Sequence, residues 1–225
     1  MSEPQFVTDP ANIAGTRIKA DARDFGGGIA WNDHKLAYVV ARTTGKEVLD
    51  LGCVSHDPEN YRSRYWVHKA LVERCASVTG LDLSEPGAAY LRERGYQVQH
   101  GDAQNFDLGR QFDAIVAGDL IEHLEDFSGF LESCKRHLRP GGVLLISTPN
   151  PWYWRNVVKS VLYREVPNNI EHTCWLCPRT LRQLVARHGM DLREVEFGSR
   201  YWRDRALPLP RGIKHTSWHA TVFVR

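Results

Sequence analysis

Five short stretches follow one another in a fixed order along this chain: EVLDLG at 47–52, TGLDLSE at 79–85, QHGDAQNF at 99–106, FDAIVAGDLIEHL at 112–124 and LRPGGVLLISTPN at 138–150. Each reads as a buried strand with a small or acidic residue at its C-terminal end. Segments with helical spacing lie between them. Trp66, Ala70, Leu71 and Cys75 recur at that period within 63–75, and Ser84 caps a helix that ends at Gly95. A further helix from about 124 to 138 stops at Pro140-Gly141-Gly142, with a strand at 143–147 beyond it. Regular strand–helix alternation implies parallel strands joined by right-handed crossovers. The expected fold class is therefore α/β, a doubly wound, Rossmann-like sheet with helices on both faces.

At 225 residues the chain is long enough for one well-buried α/β domain and short for two. Its organisation reads as an N-terminal helical or lid segment at 1–45, containing the triplet Gly26 to Gly28, followed by a single domain at 46–225. Two loops, 166–178 and 199–217, are expected on one side of it. Net charge is +2, so no global field demands nucleic acid or an anionic partner. No run of about 18 apolar residues spans a bilayer, and the first ten residues lack the basic and apolar regions of a secretory signal. A cytoplasmic location is the resulting expectation. Of five cysteines, Cys53, Cys75 and Cys134 sit in apolar segments as reduced core residues. Cys174 and Cys177 form a lone C-x-x-C with no second ligand pair, which does not make a zinc site.

Ligands of an open parallel sheet bind at the C-terminal ends of its strands, so the residues there carry the chemistry. Asp50-Leu51-Gly52 closes the first strand, and Gly52 permits a tight turn that brings backbone N–H groups against a ligand. Asp82, ending the second strand, can accept from two vicinal ribose hydroxyls, with Leu83 packing on a base. Asp102, after the third strand, can accept from an adenine amine while Ala103 donates its backbone N–H. These acids suit a nucleoside ligand, whose reactive end would lie beside Gly118.

With these motifs the chain resembles the class I S-adenosylmethionine-dependent methyltransferases, most fully over 46–150. The resemblance implies S-adenosylmethionine as cofactor. It also implies a seven-stranded, mainly parallel sheet, finished by the helix at about 179–187 and the strands at 190–197 and 218–224. One departure is plain: where that family usually continues with glycines after Gly52, this chain has Val54 and His56. A β-branched residue resists positive φ, so a reshaped loop is expected, with Ser55 or His56 supplying polar contacts.

Two stretches offer groups for the acceptor. If a helical turn begins at Asp119, then Asp119, Glu122 and His123 share one face; Glu171-His172-Thr173 lies on a later polar loop. This pattern resembles the ubiquinone-biosynthesis O-methyltransferases and the small-RNA 2′-O-methyltransferases. In both, the resemblance implies a divalent cation such as magnesium or manganese, held here by Asp119, Glu122, His123 and His172. A metal-free alternative makes His123 or His172 a general base; the sequence leaves both open. Trp152, Tyr153, Trp154 and Trp175 suit an aromatic or sugar-like acceptor. Arg200, Arg203, Arg205, Arg211 and Lys214 suit a phosphorylated or nucleotide-linked one. The expectation is transfer of a methyl group to a hydroxyl of a small-molecule intermediate. An RNA 2′-O-methyltransferase, an N-methyltransferase and a non-catalytic cofactor-binding protein are the alternatives, and the near-neutral charge argues against the RNA reading.

Overall fold

The structure, a computed structural model, describes residues 30–164, 169, 171–198, 204 and 206–224. Its elements run α1 (Ala30–Thr43), β1 (Glu47–Leu51), α2 (Val67–Val72), β2 (Ser77–Asp82), α3 (Glu85–Arg92), β3 (Val98–His100), β4 (Phe112–Gly118), α4 (Phe127–His137), β5 (Leu138–Pro149), α5 (Trp154–Tyr163), α6 (Pro178–Arg187), β6 (Met190–Gly198), α7 (Arg211–Lys214) and β7 (Ser217–Val224). Short 3₁₀ turns stand at Pro58–Arg62 and Ile121–His123. The seven strands form one sheet in the order β3-β2-β1-β4-β5-β7-β6. All neighbours are parallel except β7, which runs antiparallel to β5 and β6. The doubly wound α/β sheet expected from the five segments is present.

The period-two geometry of a strand sends alternate side chains to opposite faces, and the core divides accordingly. Leu49 and Leu51 of β1, Ile115 and Ala117 of β4, and Leu144 and Ile146 of β5 face one layer, with Phe130, Leu131 and Cys134 of α4 and Leu181 and Val185 of α6. Val48, Ala114, Val116, Val143 and Leu145 face the other, under Tyr38 and Val39 of α1 and Leu71 of α2. Each fully buried aliphatic side chain contributes about 1.5–3 kcal/mol, so both layers anchor the sheet. The chain order reverses between β1 and β4, and that switch point opens the crevice where ligands bind.

Some boundaries differ from the sequence expectation. Helix α4 begins three residues late because Asp126 caps it, accepting from the Gly129 N–H at 2.9 Å. Strand β5 begins at Leu138 rather than 143, pairing with Phe112 before a bulge; Gly141, at φ +80, carries the irregularity. Helix α2 is confined to Val67–Val72 because Trp66 stands outside it, donating its indole N–H to the Cys53 carbonyl at 2.7 Å. Gly26 to Gly28, Arg200, Arg203 and Arg205 lie outside the described residues. The five cysteines are free, with Cys53 and Cys134 buried and Cys75 partly so.

Candidate active site

The loop after β1 builds one wall of the crevice. Gly52 takes φ +73, as the turn requires. Val54 does not adopt a positive φ; Ser55 (φ +56) and His56 (φ +66) carry the left-handed backbone instead. That arrangement turns the Val54 N–H onto Asp82 Oδ2 at 2.9 Å. The Ser84 N–H donates to Asp82 Oδ1, also at 2.9 Å. Each oxygen keeps a lone pair, so the carboxylate is oriented without being used up. Burial pushes the Asp82 carboxyl above its usual range, against the two N–H bonds that stabilise its charge. Leu83, beside it, is exposed. Asp102 accepts from the Gln104 N–H at 2.8 Å, and Ala103 is buried next to it.

Asp50 is almost fully buried and faces His68, whose Nδ1 lies 2.9 Å from its Oδ2. A pocket lined in part by Lys35, Asp50, Gly52, Ser55, Trp66 and Gly118 opens above this pair. A side chain at Gly118 would meet only Ser147 Oγ, at 3.7 Å, so the strand end leaves room for a ligand.

The expectation for Asp119 needs correction. A helical turn starting there would have placed it beside Glu122 and His123. Instead Asp119 adopts φ +50, and only the 3₁₀ turn Ile121–His123 follows. Its carboxylate turns away to accept from Lys35 Nζ at 2.8 Å and from Ser147 Oγ at 2.9 Å. Burial opposes its charge, but Lys35 and Ser147 outweigh that and hold the carboxyl below its ordinary value. Lys35, on the N-terminal helix, was not singled out from the sequence; only the helical period of its surroundings was visible there.

The other three residues do come together. Glu122, His123 and His172 offer ligand atoms that all lie within 4.8 Å of one another. The backbone explains how residues far apart in sequence meet. Thr173 N–H donates to the Glu122 carbonyl at 2.9 Å and Thr173 Oγ1 to the Leu124 carbonyl at 2.7 Å, clamping the polar loop to the 3₁₀ turn. Glu122 Oε2 accepts from Thr148 Oγ1 of β5 at 2.9 Å, while Oε1 is buried with no hydrogen-bond partner among the described residues. Burial and then repulsion from Asp119 push the Glu122 carboxyl up to about 8. Burial, with the neighbouring histidines, depresses His123 to about 4, and His172 is lowered mainly by burial. Both imidazoles are therefore neutral near pH 7.

His56 joins this group from the cofactor side. Its ring centroid lies 5.5 Å from that of His123, which stands 4.8 Å from His172, and His56 Nδ1 is 3.4 Å from Glu171 Oε2. The aromatic cluster is less uniform than its sequence suggests. Trp152 is exposed, Trp154 and Trp175 are half-buried, and Tyr153 is buried with its hydroxyl on Asp204.

This fold agrees with the comparisons. Residues 30–195 match the family described as a methyltransferase domain. The chain belongs to that family. A probable S-adenosylmethionine-dependent methyltransferase of Mycolicibacterium smegmatis is 31% identical over 167 residues, covering 72% of this chain and 59% of the relative. A ubiquinone biosynthesis O-methyltransferase of Pseudomonas putida is 30% identical over 130 residues, covering 54% and 50%. The matches thus span between half and three-fifths of these curated relatives. Among solved structures, an S-adenosylmethionine-dependent methyltransferase from Clostridium acetobutylicum superposes with TM-score 0.59 at 12% identity, covering 91% of this chain and 95% of that one. The glycopeptide N-methyltransferase MtfA complexed with sinefungin gives TM-score 0.59 at 20% identity, covering 88% and 89%. This methyltransferase-domain chain therefore has the class I fold, including the antiparallel β7.

Proposed function

We propose that this chain transfers a methyl group from S-adenosylmethionine to a hydroxyl of a small-molecule acceptor, using a divalent cation held by Glu122, His123 and His172. The observation that carries the reading is the convergence of the Glu122 carboxyl and two neutral imidazoles just beyond the end of β4. The cofactor fits the residues present: Asp82 is oriented by two N–H groups with lone pairs to spare, and the pocket beside Gly52 and Gly118 is open. The cation fits as well, because one ligand atom each of Glu122, His123 and His172 lies within 4.8 Å of the others and Glu122 Oε1 is buried with no hydrogen-bond partner among the described residues. A carboxylate with two imidazoles suits manganese, iron or zinc better than magnesium.

Bound S-adenosylmethionine would supply an electrophilic methyl group, and a bound cation would lower the pKa of the acceptor hydroxyl. The rest is positioning by the chain. Asp82 accepts from the ribose hydroxyls and Leu83 covers the base. Asp102 accepts from the adenine amine, and the Ala103 N–H donates to the ring. Asp50 and Gly52 shape the turn beneath the methionine portion, where Lys35 faces its carboxylate. The loop from Glu171 to Thr173 closes the acceptor side.

A second reading follows from the neutral state of His123 at the strand end: without a cation, this imidazole takes the hydroxyl proton as a general base, one weakened by its low proton affinity. A screen of hydroxylated acceptors with labelled cofactor, with and without divalent ions, tests both. The cation reading predicts activity lost on chelation, restored by manganese, and abolished in His172→Ala. Activity that survives both chelation and His172→Ala would rule it out. Failure to bind S-adenosylhomocysteine would overturn the methyltransferase reading altogether.

A further inference from the structure

The pocket at the end of β1 holds a buried acid with no cation bonded to it among the described residues. Asp50 is 3% exposed and lines that pocket with Lys35, Gly52, Trp66, His68 and Gly118. Lys35 is the only lysine or arginine among the lining residues, and its Nζ is paired with Asp119 at 2.8 Å. The Asp50 carboxylate has one hydrogen-bond partner among the described residues: His68, whose Nδ1 lies 2.9 Å from Oδ2. A desolvated carboxylate so placed is costly unless a cation arrives with the ligand. The ammonium of S-adenosylmethionine is such a cation.

We propose that His68 is a positioning residue for the cofactor: its Nδ1–H holds Asp50 Oδ2 and thereby presents Oδ1 to the ammonium of S-adenosylmethionine. A carboxylate only accepts, so the ring proton sits on Nδ1 and is donated to Asp50. His68 Nε2 is buried with no hydrogen-bond partner among the described residues, which leaves the bond to Asp50 as the ring's one polar contact. The walls around the ring hold it in place. His68 is fully buried, with its ring centroid 5.1 Å from that of Trp66 and 5.8 Å from that of Tyr96. Gly80 of β2 makes the room, since a Cβ there would stand 3.0 Å from His68 Cε1. A group locked by packing in this way fixes the geometry of the group it bonds. Without that bond the carboxylate is free to turn toward Lys35, whose charge Asp50 helps to stabilise. The inference rests on S-adenosylmethionine as cofactor and not on the cation at Glu122.

The test compares two nucleosides by calorimetry on the full chain. S-adenosylhomocysteine carries the ammonium, and methylthioadenosine lacks the whole amino-acid end. His68→Asn keeps an N–H close to the Nδ1 position, whereas His68→Gln moves it away. His68→Gln should weaken S-adenosylhomocysteine at least about tenfold and leave methylthioadenosine unchanged. His68→Asn should bring back most of that loss. Asp50→Asn, which still accepts from His68 but carries no charge, should show the same selective loss as His68→Gln. Thermal melting verifies that each variant is folded, and the ratio of the two affinities within one protein removes any loss from loosened packing. Equal weakening of both ligands in His68→Gln overturns the proposal and gives His68 a packing role alone. Retained S-adenosylhomocysteine affinity in His68→Gln or in Asp50→Asn overturns it as well. A parent chain that binds neither nucleoside overturns the cofactor reading and this inference with it.

Discussion

Lys35 and Asp119, 84 positions apart, form an ion pair with Nζ and Oδ2 separated by 2.8 Å. It ties α1 to the end of β4, at the rim of the pocket that Lys35 and Gly118 line. Removing one partner leaves a largely desolvated charge behind. Lys35→Met should therefore cost about 1–3 kcal/mol, discounted because the Asp119 side chain is 32% exposed. The double variant with Asp119→Asn should recover part of that loss. Urea unfolding of the four proteins gives the coupling; an additive pair would show that the contact contributes nothing to stability.

Asp82 makes the sharpest prediction about the cofactor. Its carboxylate is set by the N–H groups of Val54 and Ser84, and two further acceptances from a ribose would be charge-assisted. Each such bond is worth about 1.5–3 kcal/mol. Asp82→Ala should weaken S-adenosylhomocysteine at least about tenfold by calorimetry. Unchanged affinity would remove the ribose assignment.

What the chain's letters disclosed and what they hid differ for physical reasons. Strand interiors were legible because Val48, Leu49, Ile115 and Leu144 are buried on both faces of a parallel sheet and read as apolar runs. Helix α1 was legible from its period, yet its partner was not, since no local pattern encodes which distant carboxylate Lys35 meets. Glu122 and His123 were found as a motif. Asp119 was grouped with them on the assumption of α-helical spacing, and a left-handed residue followed by a 3₁₀ turn breaks that spacing. His172 reached its place through Thr173 bonding to the backbone of Glu122 and Leu124, a contact made by groups every residue carries.

The loop after Gly52 stores backbone strain at two non-glycine residues, Ser55 and His56. Ser55 sits at φ +56, a conformation that costs a non-glycine residue roughly 1 kcal/mol. Its backbone bonds, N–H to the Gly52 carbonyl and carbonyl to the Asn60 amide, do not need the side chain. Ser55→Gly should therefore stabilise the protein by up to about 1 kcal/mol, less the entropy glycine adds to the unfolded chain. A raised melting temperature in differential scanning calorimetry is the expected result; a lowered one would mean the hydroxyl makes a contact of its own.

Glu122 sets a pH dependence whose sign can be worked out. Its carboxyl has an ordinary value of 4.5 and is pushed up to about 8 in the folded protein, first by burial and then by Asp119. Between those values the folded state binds a proton that the unfolded chain has released. Stability supplied by the neutral acid is complete below about 4.5 and is lost as pH rises toward 8. His123 works in the opposite direction: its depressed value of about 4 makes stability fall as pH drops below 6.5. The two overlap below 6.5, so the wild-type profile alone does not isolate Glu122, whereas its difference from Glu122→Gln does. In chelator-treated protein, the variant should lose the decline in stability between pH 6.5 and 8 while keeping the acid-side loss due to His123. Urea unfolding at pH 5, 6.5 and 8 measures this directly. Parallel profiles for the two proteins would show that Glu122 is already ionised at neutral pH, compensated by a neighbour. Manganese added to the wild type should reverse the slope of stability between pH 6.5 and 8, because a cation binds only the ionised carboxylate and releases its proton.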